Sequence, residues 1–405
     1  MADSMPGCDG TAARDLRGGG GRGGNVGGRP EARGDEGPPT KGTRVGDADA
    51  VRRATAAQLH TQARSCAEMG SPLYAHLLER AAADCAAEGP VWQVLRDHAA
   101  PARGDALALR FMAAVHRLVL QRGAPWLAMF YPSVGGSGGP DGAWEAFRAA
   151  LVEHGGRISA DVARPCQTNE VGRAAAIAVG LLTVVRATGM PLRLREVGAS
   201  AGLNLRCDRF LIGGAGVTMG DPASPVDLSG HWRTPPPWVP DRLPVTDRRG
   251  CDRDPVDPLT AEGRLALTAS VWADQHERHQ RLRGALALAE EVPAAVDQAM
   301  LDVWARDQLA EPPSGVATVL YHSVVLEYVP AHMRAAFVAT VAEAGERATP
   351  DRPLAWLRVE PVSRLRHHGV ELTMWPGGAT IQLARCGAHG ADVVWAADDK
   401  LPPRG

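Results

Sequence analysis

The stretch Leu192–Leu205, L-R-L-R-E-V-G-A-S-A-G-L-N-L, admits few folds. Leu192, Leu194 and Glu196 alternate with Arg193, Arg195 and Val197, which is the period of a strand. Three small residues between two glycines follow, Gly198-Ala199-Ser200-Ala201-Gly202. Leu203, Leu205 and Phe210 then predict a helix. Strand, glycine turn and helix open a Rossmann-type unit, in which backbone approaches a ligand closely and a helix N-terminus offers free N–H groups.

Three chemistries use such a turn. A dinucleotide fingerprint, G-x-G-x-x-G, needs glycine at its second and third landmarks, where this chain has Ser200 and Leu203. A nucleophile elbow, G-x-S-x-G, matches letter for letter and makes Ser200 the nucleophile of a serine hydrolase. The acidic-x-G-x-G-x-G turn of class I S-adenosylmethionine-dependent methyltransferases is met by Glu196, Gly198, Ser200 and Gly202, with one serine for glycine. The carboxylate closing the strand favours this third reading, because an elbow does not call for one. A tight turn without a ligand is the bland alternative.

At 405 residues the chain suits two or three domains. Its net charge of -2 provides no global field for nucleic acid or anionic membrane. Lys41 and Lys400 are the only lysines among 44 basic residues, a bias of composition that leaves arginine counts uninformative. The seven cysteines are scattered without C-x-x-C or paired histidine spacing, which argues against a zinc site and for reduced thiols. The first residues lack the apolar core of a signal peptide. Ala174–Val185, between Arg173 and Arg186, is too short an apolar run to span a bilayer. The expectation is a soluble cytoplasmic protein without membrane or nucleic-acid partners, whose oligomeric state the sequence leaves open.

Along the chain, residues 1–48 are rich in glycine, arginine and proline and are expected to be a disordered tail. Its run Arg17–Gly24 lacks the interleaved aromatics of RNA-binding segments. Residues 49–165 predict a helical cap. Ser71-Pro72 begins one helix, Ala106–Leu120 forms another that buries Leu109, Ala113 and Leu120, and Asp141 opens a third after the loop Tyr131–Pro140. In the third part, residues 166–400, Thr168 is expected to cap a helix with Glu170 in its first turn and an apolar stripe from Val171 to Val185. Its polar start, with Asn169 and Arg173, is placed to fold back over the glycine turn. After the loop Gly220–Pro225, a second strand is expected to end near Cys251, with Asp252 as the acid for ribose hydroxyls and Asp254 in reserve. Helices over Leu259–Trp272 and Glu277–Glu291 follow. The strand Val316–Tyr321 ends at His322, where parallel sheets place their ligands. A helix from Pro330, a strand Leu354–Val359 ending at Glu360, and a hairpin around Pro376-Gly377-Gly378 complete the order.

Q-T-N-E-V-G-R, E-V-G-A-S-A-G-L-N, G-D-P-A-S-P-V and Y-H-S-V-V-L-E-Y-V-P together resemble a bacterial family of unknown function. That family is common in actinobacteria and has a methyltransferase-like Rossmann core. The resemblance runs from about Ser71 to Trp395 and implies the fold. The expected architecture is α/β: a mostly parallel, class I methyltransferase-type sheet with a C-terminal antiparallel hairpin, behind an N-terminal helical cap. The expected function is methyl transfer from S-adenosylmethionine to a small molecule. Glu196, Gly198, Ser200, Gly202, Asn204 and Asp252 would bind the cofactor, and Asn169, Arg173 and His322 would face the acceptor, with His322 taking its proton. A serine hydrolase, a nicotinamide oxidoreductase and a non-catalytic nucleotide sensor are the rivals.

Overall fold

Leucine, valine and alanine in short alternating runs build the centre of the chain, and the apolar strands between them pair in parallel. The computed structural model describes residues 45–99, 106–362 and 367–397. The expected tail up to Arg44, its arginine-glycine run, Lys41 and Lys400 lie outside the described residues. The strands are β1 (Leu192–Val197), β2 (Leu211–Gly214), β3 (Val217–Met219), β4 (Asp227–Leu228), β5 (Trp232–Thr234) and β6 (Val245–Asp252). They continue with β7 (Ala295–Gln298), β8 (Ala317–Ser323), β9 (Leu354–Pro361), β10 (His368–Trp375), β11 (Ala379–Cys386) and β12 (Val393–Trp395).

Nine of these form one sheet in the order β5-β12-β11-β10-β9-β8-β1-β6-β7. Its half from β7 to β9 is parallel throughout, while β9, β10, β11 and β12 pair antiparallel. Strand order reverses at β1, which lies between β6 and β8. The loops after β1 and β8 therefore diverge at the carboxyl edge of the sheet, the place where open parallel sheets hold their ligands. A separate sheet, β3-β2-β4, fills part of the connection from β1 to β6.

Alternation along β1 divides the core. Leu192 and Leu194 join the cluster under the helices Ala174–Thr188 and His276–Glu291. Val197 faces the opposite cluster with Leu320 and the helices Leu301–Leu309 and Ala331–Glu346. The helix Ala174–Thr188 is buried from Ala174 to Val184. Among the described residues, Val171–Thr188 is the one helical stretch long and apolar enough to cross a membrane, and 72% of it is buried inside the fold.

The described residues from Val45 to Val162 are mostly helical, as the sequence predicts, and form a second core around Leu77, Phe111, Val115 and Phe147. Trp272 and Ala273 from the sheet-bearing part belong to that core, so Val45 onward is one compact unit. Three local expectations change. The helix Leu107–Leu120 buries Phe111, Met112, Val115 and Leu118, while Leu109, Ala113 and Leu120 are only half-buried. Ser71 makes no cap bond to its own helix. Asp274 does that work from across the unit, accepting from Ser71 Oγ at 2.6 Å and from Leu73 N at 3.0 Å. The third change lies at the glycine turn: no α-helix follows it. Leu203–Arg209 is a 3-10 segment broken at Arg206, and the chain enters β2 directly. Leu203, Leu205 and Phe210 are all buried, but against the helix-covered face rather than as one stripe of a helix.

Candidate active site at the carboxyl edge of the sheet

The glycine turn joins β1 to the short 3-10 segment, and its backbone alternates into the left-handed region. Gly198 has φ +67°, Ser200 +54° and Gly202 +65°. Packing reinforces both glycines. A Cβ on Gly198 would stand 2.4 Å from Val325 Cγ2, and one on Gly202 2.8 Å from Val296 Cγ2. Ser200 tolerates its conformation because Asp252, the last residue of the neighbouring β6, accepts from Ser200 N at 2.8 Å through Oδ2. Oδ1 of the same carboxylate accepts from Asp254 N at 3.0 Å, so Asp252 pins the turn and Asp254 acts as a loop residue. Lone pairs remain on both Asp252 oxygens, since a carboxylate accepts about four hydrogen bonds. The Ser200 Oγ is buried and has no hydrogen-bond partner.

The polar segment Gln167–Arg173 does lie across this turn. Asn169 Oδ1 accepts from Leu203 N at 2.9 Å, and Asn204 Nδ2 donates to Glu170 O at 3.1 Å. Asn204 is 1% exposed and its Oδ1 is unpartnered. The cap of the following helical run is Glu170 rather than Thr168: Glu170 Oε1 accepts from Gly172 N at 3.2 Å. Glu170 Oε2 takes Arg278 Nε at 2.7 Å and Nη2 at 2.6 Å, a buried pair. Burial alone would raise the Glu170 pKa, yet Arg278, His389 and Arg173 together hold it down at about 2.

Glu196 contrasts with it. It closes β1 at 2% exposure, and no cation lies within 4.0 Å among the described residues. Burial pushes its pKa up to about 8, and the nearby Asp252 adds to the rise. A hydrogen bond from Tyr321 Oη at 3.3 Å and the more distant Arg206 charge work the other way without cancelling it. Arg206 itself is spent on Gly202 O and Val292 O.

β8 delivers His322 to the same edge, fully buried. Its Nδ1 faces Glu360 Oε1 at 2.6 Å, and its Nε2 accepts from Trp356 Nε1 at 3.2 Å. With Nε2 as acceptor, Nδ1 carries the proton and donates to Glu360, and the ring has no free lone pair. Glu360 Oε1 also takes Val325 N at 3.0 Å and Leu326 N at 3.4 Å. This carboxylate thus holds the strap Ser323–Leu326, in which Val324 adopts φ +57° and Val325 rests on Gly198. Burial would raise the Glu360 pKa, but His322 and the two N–H groups lower it. Arg173 reaches the strap from the other side, donating through Nη1 to Ser323 O at 3.3 Å and through Nε to Ala388 O at 3.1 Å.

The edge therefore gathers every residue that the sequence singles out. Glu196, Gly198, Ser200, Gly202 and Asp252 form one wall, Asn169 and Asn204 tie it to the polar segment, and Arg173 and His322 brace the strap. Tyr321, Arg278 and His368 join them without a sequence signal of their own, and Glu360 joins them too. Glu360 had the one readable cue, its place after an apolar strand. No group of histidine, cysteine and carboxylate side chains suited to a metal ion occurs among the described residues.

No curated protein matches the chain, and no solved structure matches it. A family model described as "Uncharacterized protein conserved in bacteria (DUF2332)" matches residues 56–395, which takes in most of the cap, the sheet and every residue of the edge site. The chain belongs to this family of uncharacterised bacterial proteins.

Proposed function

We propose that this edge binds S-adenosylmethionine in the cytoplasm and that the protein transfers the methyl group to a small molecule. The observation carrying the reading is Glu196: a buried carboxylate without a cation partner, at the switch point of a parallel sheet, beside a turn with two buried unpartnered polar atoms. Counting only the five consecutive parallel strands, the order β7-β6-β1-β8-β9 is 3-2-1-4-5, the doubly wound order of nucleotide-binding folds, an analogy of fold. S-adenosylmethionine would bring a methyl already activated on a sulfonium. Glu196 would accept from its ammonium, the remaining lone pairs of Asp252 would meet its ribose hydroxyls, and Ser200 Oγ and Asn204 Oδ1 would gain partners. Positioning is then the main catalytic work of the chain. His322, with both nitrogens engaged, serves by bracing Glu360 and the strap rather than by taking a proton.

Ser200 as a hydrolase nucleophile has less support, because its hydroxyl has no base in hydrogen-bond reach and no helix follows it. S-adenosylmethionine or its demethylated product at about 100 times its dissociation constant should add roughly 2.7 kcal/mol, a melting shift of several degrees. NADH should give no comparable shift. Gly202→Val should abolish the shift by forcing a branched side chain into a left-handed position. A shift with NADH alone, or an esterase activity lost in Ser200→Ala, contradicts the reading.

A further inference from the structure

Arg173 is a charged group at this edge that touches no carboxylate, and the Glu170 charge acts on it only from beyond ion-pair distance. Glu170, the nearest carboxylate in sequence, is taken by Arg278 at 2.6 Å. Glu360 is taken by His322 and two strap N–H groups. No carboxylate lies within 4.0 Å of Arg173 among the described residues, and its two hydrogen bonds go to neutral backbone carbonyls, Ser323 O and Ala388 O. A guanidinium has about five N–H donors. Two are used, so three remain, including those on the Nη1–Nη2 side that pairs with an oxyanion in a fork. The side chain is only partly buried, and its charge acts on Tyr328, which is 49% exposed. A second unsatisfied group lies next to it: His368 is 9% exposed, its Nδ1 is buried without a partner, and the Arg173 charge acts on it. A half-buried guanidinium with N–H donors to spare and a buried ring nitrogen without a partner together suit a ligand that is anionic and accepts hydrogen bonds.

We infer that the acceptor molecule carries an oxyanion, a carboxylate or a phosphate, and that Arg173 holds it with His368 beside it. The inference names the substrate class of the site and rests on the transfer reading for the word acceptor; the anion site itself stands on the guanidinium alone. Because Arg173 bonds Ser323 O on the strap that rests on Gly198, an oxyanion there would hold the acceptor on the side of the strap away from the turn's own residues and within the same edge.

The test uses the full chain without any methyl donor, so its outcome is independent of donor binding. Melting temperature is followed with inorganic phosphate, malonate or chloride at equal ionic strength. Phosphate or malonate should raise it by a few degrees over chloride, and whichever acts alone names the oxyanion. Arg173→Gln should remove the effect, weakening apparent affinity at least about tenfold, the scale of a charge-assisted fork. Arg173→Lys, which keeps the charge but loses the fork, should fall between. Arg233→Gln, at an exposed pair with Asp392, should behave as the unmodified chain. The same response to all three salts overturns the inference, as does a response retained in Arg173→Gln or, should that variant not fold, undiminished in Arg173→Lys. Anion binding without any response to S-adenosylmethionine would leave the oxyanion site standing and remove the methyl-transfer reading.

Discussion

The segment Gln167–Arg173 and the turn Glu196–Gly202 lie against each other, and each buries one glutamate to a similar depth, 5% exposed for Glu170 and 2% for Glu196. Their surroundings drive them in opposite directions. Glu170 meets Arg278 in a close pair and stays ionised down to about pH 2, whereas Glu196 meets a tyrosine hydroxyl and holds its proton up to about pH 8. The first carboxylate is a finished piece of structure, since its desolvation is offset within the fold. The second is left costly, and a buried cost that the fold does not offset marks the place where a ligand can supply the missing partner.

Breaking the finished side should have the largest effect. Glu170→Ala leaves Arg278 buried and unpaired, and thermal unfolding at neutral pH should show a loss of about 3–5 kcal/mol. The pH dependence has a defined sign as well. The folded pKa of Glu170 lies below its ordinary 4.5, so its contribution is full above pH 4.5 and is lost as pH falls toward 2. An Glu170→Ala variant as stable as the unmodified chain at pH 7 would show that the pair is not what holds the segment on the turn.

The unfinished side should behave in the reverse way. The folded pKa of Glu196 lies above its ordinary 4.5, so the folded state binds the proton more tightly and stability falls as pH rises from about 4.5 through 8. Each unit is worth about 1.4 kcal/mol. Glu196→Gln removes that loss and keeps the shape, so the variant should be more stable than the unmodified chain at pH 8 by roughly 2 kcal/mol or more, and match it near pH 5. The comparison must be a difference between the two proteins. His231, His279, His368 and His389 are held neutral by burial, with pKa values of about 4, and stability they contribute above about pH 6.5 is lost in both as pH falls. A Gln variant less stable at pH 8 would mean that Glu196 is ionised and paired.

Ser200 should give the smallest effect. Its hydroxyl has no partner, so Ser200→Ala deletes an unsatisfied group and should change stability by no more than about 0.5 kcal/mol. Binding of S-adenosylmethionine should weaken by less than about tenfold, the value of one neutral hydrogen bond. A large loss of stability would show that the turn depends on the hydroxyl.

Much of this edge was readable before the fold was known. β1, β8, β9 and the hairpin announce themselves by alternation or apolar runs bounded by glycine, proline and charge, whereas β6 is polar along most of its length and only its end near Cys251 is legible, with Asp252 at the strand end. What escaped was short or distant. β2, β3, β4, β5, β7 and β12 span two to four residues each, too few for a period to show. The expected helix after the turn is a 3-10 segment, because buried leucines at helical spacing also suit a 3-10 segment packed beneath neighbouring helices. Arg278 lies 108 residues from the Glu170 it neutralises, and Asp274 caps a helix 201 residues away. Periodicity reads only local order, so it finds the glycine turn and Glu196 but cannot say which of two buried glutamates has a partner.

Calorimetric titration of S-adenosylmethionine into the full chain at pH 7, repeated in buffers of different ionisation heat, tests the claim that Glu196 awaits a cation. Binding should release about one proton per ligand, because a carboxyl protonated up to about pH 8 must ionise to meet the ammonium. Glu196→Gln should bind more weakly and release none. No binding, or the same proton release from both proteins, would contradict the account.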